Sequence, residues 1–145
     1  MTSMGFGINL QGIADKVYAQ VVAELPSRAY RAAHELRNAE LEILAGQRSG
    51  RTYRTPGGGT YTASAPGEPP AVRTNTLRGK FREMTYGDDG RNPGIENSPA
   101  AQYAGYMENG TPGGMIKPRP FVNPIIEKAK PAIEAIYNEP FHISP

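Results

Sequence analysis

The chain has neither cysteine nor tryptophan in its 145 residues. Without cysteine there is no disulfide, no thiolate nucleophile and no cysteine-ligated metal, which suits assembly in a reducing cytoplasm. Only two histidines are present. His34 sits in a charged helical stretch beside Glu35, and His142 sits in a tail, residues 139–145, expected to fray. Neither has a nucleophile or carboxylate at the spacing of a triad or a metal site. Asp88-Asp89 falls in a turn, where carboxylates commonly hold the turn itself. Gly57-Gly58-Gly59 lacks the Gly-Lys-Ser/Thr ending of a phosphate-binding loop and follows no apolar strand. These absences point away from an enzyme and imply no cofactor and no metal. No apolar run approaches the ~20 residues of a membrane-spanning helix, and no charged, apolar leader opens the chain. Neither a membrane nor secretion is therefore expected, and the glycosylation-like Asn109-Gly110-Thr111 carries no weight.

What the chain does have is loop-forming residues. Seventeen glycines and 14 prolines accompany 38% hydrophobic residues and a mean hydropathy of −0.53. The length fits one domain, residues 1–145, with a modest core and long shaped loops that order against a partner. The formal charge of +2 hides an asymmetry. Residues 46–82 hold Arg48, Arg51, Arg54, Arg73, Arg78, Lys80 and Arg82 against Glu68 alone, so the remainder is net acidic. A solvated arm accounts for this charge. So does contact with an acidic neighbouring subunit or with passing DNA.

Leu10, Ile13, Ala14, Val17, Tyr18, Val21, Val22 and Leu25 step by three and one along one helical face, which reads as core. Pro26 predicts a break or kink. Ser27 is placed to cap a second helix through Leu36 and Leu44, and Gly46 to stop it. Arg51-Thr52-Tyr53-Arg54-Thr55 and Thr60-Tyr61-Thr62-Ala63-Ser64 flank Pro56-Gly57-Gly58-Gly59 and read as a polar hairpin, the arm of residues 46–64, reaching outside its own subunit. A four-residue loop would put Tyr53 and Tyr61 on opposite faces, a five-residue loop on one. Ala65 to Val72 is extended by its prolines. A short helix follows from Thr74, its cap, with Leu77 and Phe81 inward. Phe81 to Tyr86 suits a strand with Met84 and Tyr86 on one side, and Ile95-Glu96-Asn97 a second. Asp88-Asp89-Gly90 and Asn92-Pro93-Gly94 read as turns. Ser98-Pro99 and Asn123-Pro124 each read as a cap followed by Pro at the first helical position. Gly110 stops the first of these helices. Pro131 should kink the second.

Three groups of residues occur in a recognisable order. Ser49-Gly50-Arg51-x-Tyr53 leads to Ala63-Ser64-Ala65-Pro66-Gly67-Glu68-Pro69-Pro70-Ala71 and then Thr74-x-x-Leu77-Arg78. Tyr103-Ala104-Gly105-Tyr106-Met107-Glu108-Asn109-Gly110-Thr111 follows. Pro120-Phe121-Val122-Asn123-Pro124 opens the last helix. From about Gly46 to about Tyr137 this resembles the small neck, or tail-completion, proteins of long-tailed bacteriophages. The resemblance implies an α+β fold. A long N-terminal helix and a C-terminal helix would pack on a small antiparallel sheet, with an extended β-hairpin arm. It implies a structural ring subunit of the virion neck, assembled in the host cytoplasm and surrounding the DNA channel. The partners implied are further copies of the chain, six by analogy with twelve as the alternative, the head-closure protein, and a tail-terminator or tail-tube protein. Non-specific contact with genomic DNA is a further implied interaction. The Pro- and Gly-rich loops suggest a monomer in solution that orders on docking.

Tyr103, Glu108, Gly110, Thr111, Pro120, Phe121 and Pro124 occupy motif positions of that family, with structural roles. Gly110 allows a turn braced by Thr111, Phe121 fills the core, and Pro124 starts the helix. Glu108 is left with two readings: bonds to backbone donors of the 110–120 loop, or a pair with an Arg of the next subunit. Asn75 and Ile125 depart from the family's usual Gly and Ala. The arm's Arg51, Tyr53, Arg54 and Tyr61 read as interface anchors, where Tyr and Arg are enriched. Arg–Tyr interleaving also stacks on bases, so a small basic-arm nucleic-acid-binding protein is the alternative.

Overall fold

The computed structural model describes residues 9–72 and 75–144. The fold is α+β, as expected. Helix α1 spans Leu10–Ile43 and is 34 residues long, a rod of about 50 Å. The side chain of Asn9 caps it, accepting from the Gly12 N–H at 3.0 Å. Pro26 lies inside this helix and does not divide it, so Ser27 caps nothing. One lost backbone bond is tolerated because the turns after Pro26 are held by packing: Ala29, Ala32, Ala33 and Ala39 are buried on one face. Small side chains let neighbours approach closely, and the helix Val122–Tyr137 (α4) and the hairpin formed by Arg82–Tyr86 and Asn92–Glu96 both pack on this rod. The helix ends through the Leu44 N–H, bonded to the Glu40 carbonyl, rather than at Gly46.

The expected core stripe is corrected at its N-terminal half. Leu10, Ile13, Val17 and Tyr18 are exposed, because the packing partners of α1 reach only its later turns. The core gathers where α1 ends, from Leu44, Leu77, Met107, Phe121, Ile125 and Ala129.

Strands β1 (Thr52–Arg54) and β2 (Thr60–Thr62) form one two-stranded sheet. Strands β3 (Arg82–Tyr86) and β4 (Asn92–Glu96) form another. Met84 pairs with Gly94 and Thr85 with Pro93, so Asn92-Pro93-Gly94 is strand and not a turn. A Cβ on Gly94 would stand 3.3 Å from both the Met84 side chain and the Tyr86 ring. The bare backbone is what lets those side chains lie across the strand. The turn between the strands, Asp88–Gly90, places Asp89 in the left-handed region at φ 56°.

Helix α2 covers Asn75–Arg78 and buries Leu77; the expected cap Thr74, and Arg73, lie outside the described residues. A single 3-10 turn, Ser98–Ala100, leads into α3, Ala101–Asn109. Its cap is Asn97 rather than Ser98: Asn97 Oδ1 accepts from the Ala100 N–H at 3.1 Å while its amide donates to the Leu77 carbonyl at 2.9 Å. Helix α4 runs through Pro131 unbroken.

The C-terminal tail is the largest correction. Arg28, buried within α1, donates to the carbonyls of Ile136 (2.8 Å), Tyr137 (3.3 Å), Glu139 (2.7 Å) and Pro140 (3.0 Å). Its guanidinium also lies 3.8 Å from the Phe141 ring centroid. Beyond it, the His142 N–H and ring nitrogen meet Glu24, and Ser144 pairs with Gln20. Glu24 is held below the usual carboxylate range by the His142 backbone N–H and Arg28. Arg31 and Glu139 form a two-bonded pair at 2.7 and 2.6 Å. A fork of donors aimed at chain carbonyls straps residues 138–144 to α1, where fraying was expected.

Candidate functional site

The hairpin arm and the 103–124 segment are the two places where sequence reading put function, and the fold brings their bases together. The arm's register is Thr52↔Thr62, Tyr53↔Tyr61 and Arg54↔Thr60. That leaves five residues in the loop, so Tyr53 and Tyr61 share a face. The loop closes by Thr55 N–H to Gly59 O (2.9 Å) and Gly58 N–H to Thr55 O (3.0 Å). Residues 51–60 are exposed throughout. The Arg51 guanidinium lies 5.2 Å from the Tyr53 ring centroid, which fixes the aromatic as a platform on the outer arm.

The arm's root is rigid. Gly50 N–H bonds Ala63 O and Ala63 N–H bonds Arg51 O, both at 2.9 Å. A Cβ on Gly50 would fall 2.4 Å from the Ala63 carbonyl, so only glycine permits this pairing. Glu68 gathers three donors from both sides of the root: the Ser49 hydroxyl, the Ser49 N–H (3.1 Å) and the Ala65 N–H (2.8 Å). Those bonds, led by the Ser49 hydroxyl, hold its carboxyl down at about 2. Arg48 donates to the carbonyls of Ile43 (2.6 Å) and Pro69 (2.6 Å). Arg78 donates to the Leu41 carbonyl at 2.9 Å. Of the seven cations counted in this segment, Arg48 and Arg78 thus serve the body, Lys80 and Arg82 lie just before and at the start of β3, and Arg73 is outside the described residues, which leaves Arg51 and Arg54 on the arm itself.

Between α3 and α4, residues 110–121 form a braced loop. Gly110 sits at φ 77°, and a Cβ there would meet the Ile116 carbonyl at 2.8 Å. Thr111 closes the loop on Ile116 through backbone and hydroxyl, each at 3.0 Å. Glu108 Oε2 accepts from the N–H groups of Phe121 (2.7 Å) and Val122 (3.2 Å). Of its two readings, the backbone one holds: it caps α4 from outside, with its charge at the positive helix end. The N-cap residue of α4 is therefore Phe121 and not Asn123, and Pro124 is the third helical residue, where its missing N–H still costs nothing. Phe121 is buried and meets Phe81 edge to face at 6.3 Å. Pro120 is half-buried beside it.

Arg119 and Gly67 tie this loop to the arm's root: Arg119 donates to the Ser64 carbonyl at 3.2 Å, and the Gly67 N–H to the Pro118 carbonyl at 3.1 Å. Between them lies an open groove of about 420 Å³ lined by Tyr61, Ser64, Tyr103, Met115, Ile116 and Arg119, among others. Tyr61 and Tyr103 therefore face one groove, while Tyr53, Arg51 and Arg54 stand outside it on the arm. Arg28 and Arg119 were not given roles from the sequence, and Glu68 was noted only as the one acid of its segment. Only Arg28 left a signal, a cation on the same helical face as Leu25, Ala29 and Ala32.

Among the described residues no three metal-ligating side chains converge, and no helix is long and apolar enough to cross a membrane. His34 and His142 each meet a single glutamate, Glu83 at 3.1 Å and Glu24 at 3.0 Å. No known family, curated protein or solved structure matches the chain.

Proposed function

We propose that the chain is a structural subunit of a ring in the neck of a long-tailed bacteriophage virion, joining the head-closure complex to the tail around the DNA channel. The carrying observation is the pairing of an exposed hairpin with a rigid root. An arm whose outer residues, 51–60, are all exposed is anchored at its root by Gly50, Glu68, Arg48 and Arg119. Such an arm spends its Tyr and Arg side chains on something outside the subunit. The order of motifs from Gly46 to Tyr137 supports the phage assignment. The roles of Glu108, Gly110 and Thr111 in bracing one loop agree with the structural roles that the resemblance implies. In this reading the arm docks on a neighbouring copy or on the head-closure or tail-side partner. The basic-arm nucleic-acid reading draws support from the Arg51–Tyr53 stack. It is the weaker reading, because two arm cations allow a salt slope of only about −2.

Imaging of the concentrated protein, alone and mixed with extracts containing unjoined heads and tails, tests the proposal. Rings with a central hole, or restored head–tail joining, are expected. A protein that stays monomeric and joins nothing, yet binds oligonucleotides with steep salt dependence, overturns it.

A further inference from the structure

The two hairpins give the chain four strand edges, and an edge whose N–H and C=O groups point outward is a template for another strand. The four are not equivalent. In the arm, the bonds from Ala63 N–H to Arg51 O and from Thr55 N–H to Gly59 O set the phase of the ladder. With Tyr53 opposite Tyr61, the main-chain groups of Arg51, Tyr53 and Thr55 turn toward β2, and those of Thr52 and Arg54 turn away from it. All three residues of β1 are exposed. Among the described residues neither Thr52 nor Arg54 bonds to anything beyond the arm. Strand β2 instead borders an open groove whose far wall is the chain's own body, at Leu44, Arg48 and Val72. In the other hairpin Pro93 has no N–H to give, so it stands on the outer side of β4 and bars that edge. By the same register the outward positions of β3 are Glu83 and Thr85. Thr85 makes no bond outside its hairpin among the described residues. Glu83 turns its carboxylate back on its own N–H, a bond that an incoming carbonyl can replace.

Two edges are therefore open, β1 and β3, and their charges are opposite. Arg51 and Arg54 lie on β1 or beside it, and no acid stands between Gly46 and Gly67. The β3–β4 hairpin, residues 82–96, holds Glu83, Asp88, Asp89 and Glu96 against Arg82 and Arg91, so it is net acidic. Within one chain the two sheets are separate. We infer that the β1 edge of one copy pairs with the β3 edge of the next, joining the two hairpins into one four-stranded sheet across the subunit boundary. This rests on the ring reading above and names the surface that receives the arm. Main-chain bonds hold the strands together, and Arg51 and Arg54 place a cation on each face of the new sheet. Pairing β1 with β1 would gather four guanidiniums and no carboxylate. Like-with-like pairing of either edge is also a two-fold contact that stops at a dimer. Pairing β1 with β3 joins unlike surfaces, the kind of contact that closes into a ring when its rotation allows.

Amide exchange of the full-length wild-type chain tests this, first dilute and then assembled into rings or onto supplied heads and tails. The Thr52, Arg54 and Thr85 amides should exchange freely in the monomer and at least about tenfold more slowly after assembly, with Thr60 and Thr62 unchanged. A proline variant adds the cause. Thr52→Pro deletes one outward N–H and leaves the β1–β2 ladder its bonds. It should cut ring yield and head–tail joining about tenfold, whereas Thr52→Ala and Thr60→Pro stay within about twofold of the parent. Assembled particles whose Thr52 and Arg54 amides still exchange as in the monomer overturn the inference and leave the ring reading standing. So does Thr52→Pro assembling at the parent's level. Slowing at Thr52 and Arg54 without Thr85 overturns β3 as the receiving edge, and a dimer showing that pattern means arm-to-arm pairing. Slowing of the monomer's Thr52 and Arg54 amides by an oligonucleotide alone overturns the inference in favour of nucleic acid. A chain that forms no rings and joins no particles overturns the ring reading and this pairing together.

Discussion

Arg28→Met keeps the length and apolar stem of the side chain and removes every donor. The wild-type guanidinium makes four bonds to carbonyls of residues 136–140, one to Glu24 at 3.2 Å, and a stack on Phe141. Hydrogen bonds to a charged group are each about 1.5–3 kcal/mol. Much of that sum is offset, because burying the guanidinium forfeits its hydration and because the tail carbonyls regain water once released. A net loss of about 3 kcal/mol remains, near the low end for breaking a buried charged network. For a domain of this size that corresponds to a melting temperature lower by roughly 6–12 °C. Amide exchange adds the location. The His142 and Ser144 N–H groups, bonded to Glu24 and Gln20, should lose protection first, with β3–β4 changed far less. Arg28→Lys should fall between, since one ammonium cannot reproduce a planar fork. A Met variant that melts within 2 °C of the parent and keeps its tail amides protected would refute the strap.

Phe121→Ala removes a buried ring set against Phe81 and should cost about 3–5 kcal/mol in chemical denaturation. Glu108→Ala uncaps α4 and should cost about 1–2 kcal/mol, with exchange rising at Phe121 and Val122; unchanged exchange there contradicts the capping role. Glu40 is buried, and burial raises its carboxyl to about 7 although Arg37 and Arg78 oppose the shift. A carboxyl raised above its unfolded value contributes stability at low pH that is lost as pH rises from about 4.5 to 7, some 3 kcal/mol in all. Glu40→Gln should abolish that slope in denaturation series across this range, and identical slopes in both proteins would show that Glu40 does not titrate there.

How much of this was legible in the sequence depended on how local each signal was. The helical stretches on either side of Pro26, the last helix, the hairpin and the Gly110 turn are written in neighbouring residues, and each was found. The register of the arm needed only a loop length, yet Pro-Gly-Gly-Gly is compatible with two. Pro26 and Pro93 were read as breakers because the rule is local, whereas the alanine face of α1 and the pairing of Pro93 with Thr85 are tertiary. The stripe at Leu10–Leu25 was recognised as helical, but periodicity marks a face and cannot say what covers it. The strap was invisible because Arg28 answers to backbone carbonyls more than a hundred positions away, and every residue type supplies those. Glu108 was the intermediate case: its two readings differed only in which donors stood nearby.

The claim that the chain works by assembling through its arm is tested most directly by shortening that arm. Residues Thr52 to Thr62 are replaced by Gly-Gly, which spans Arg51 to Ala63 where the root strands already pair. Mass and particle images are then compared with the parent at matched high concentration and with heads and tails supplied. The account predicts a folded monomer with a melting temperature within about 2 °C of the parent, no rings, and heads and tails left unjoined. Rings or joined particles formed at the parent's level by the shortened chain would contradict it.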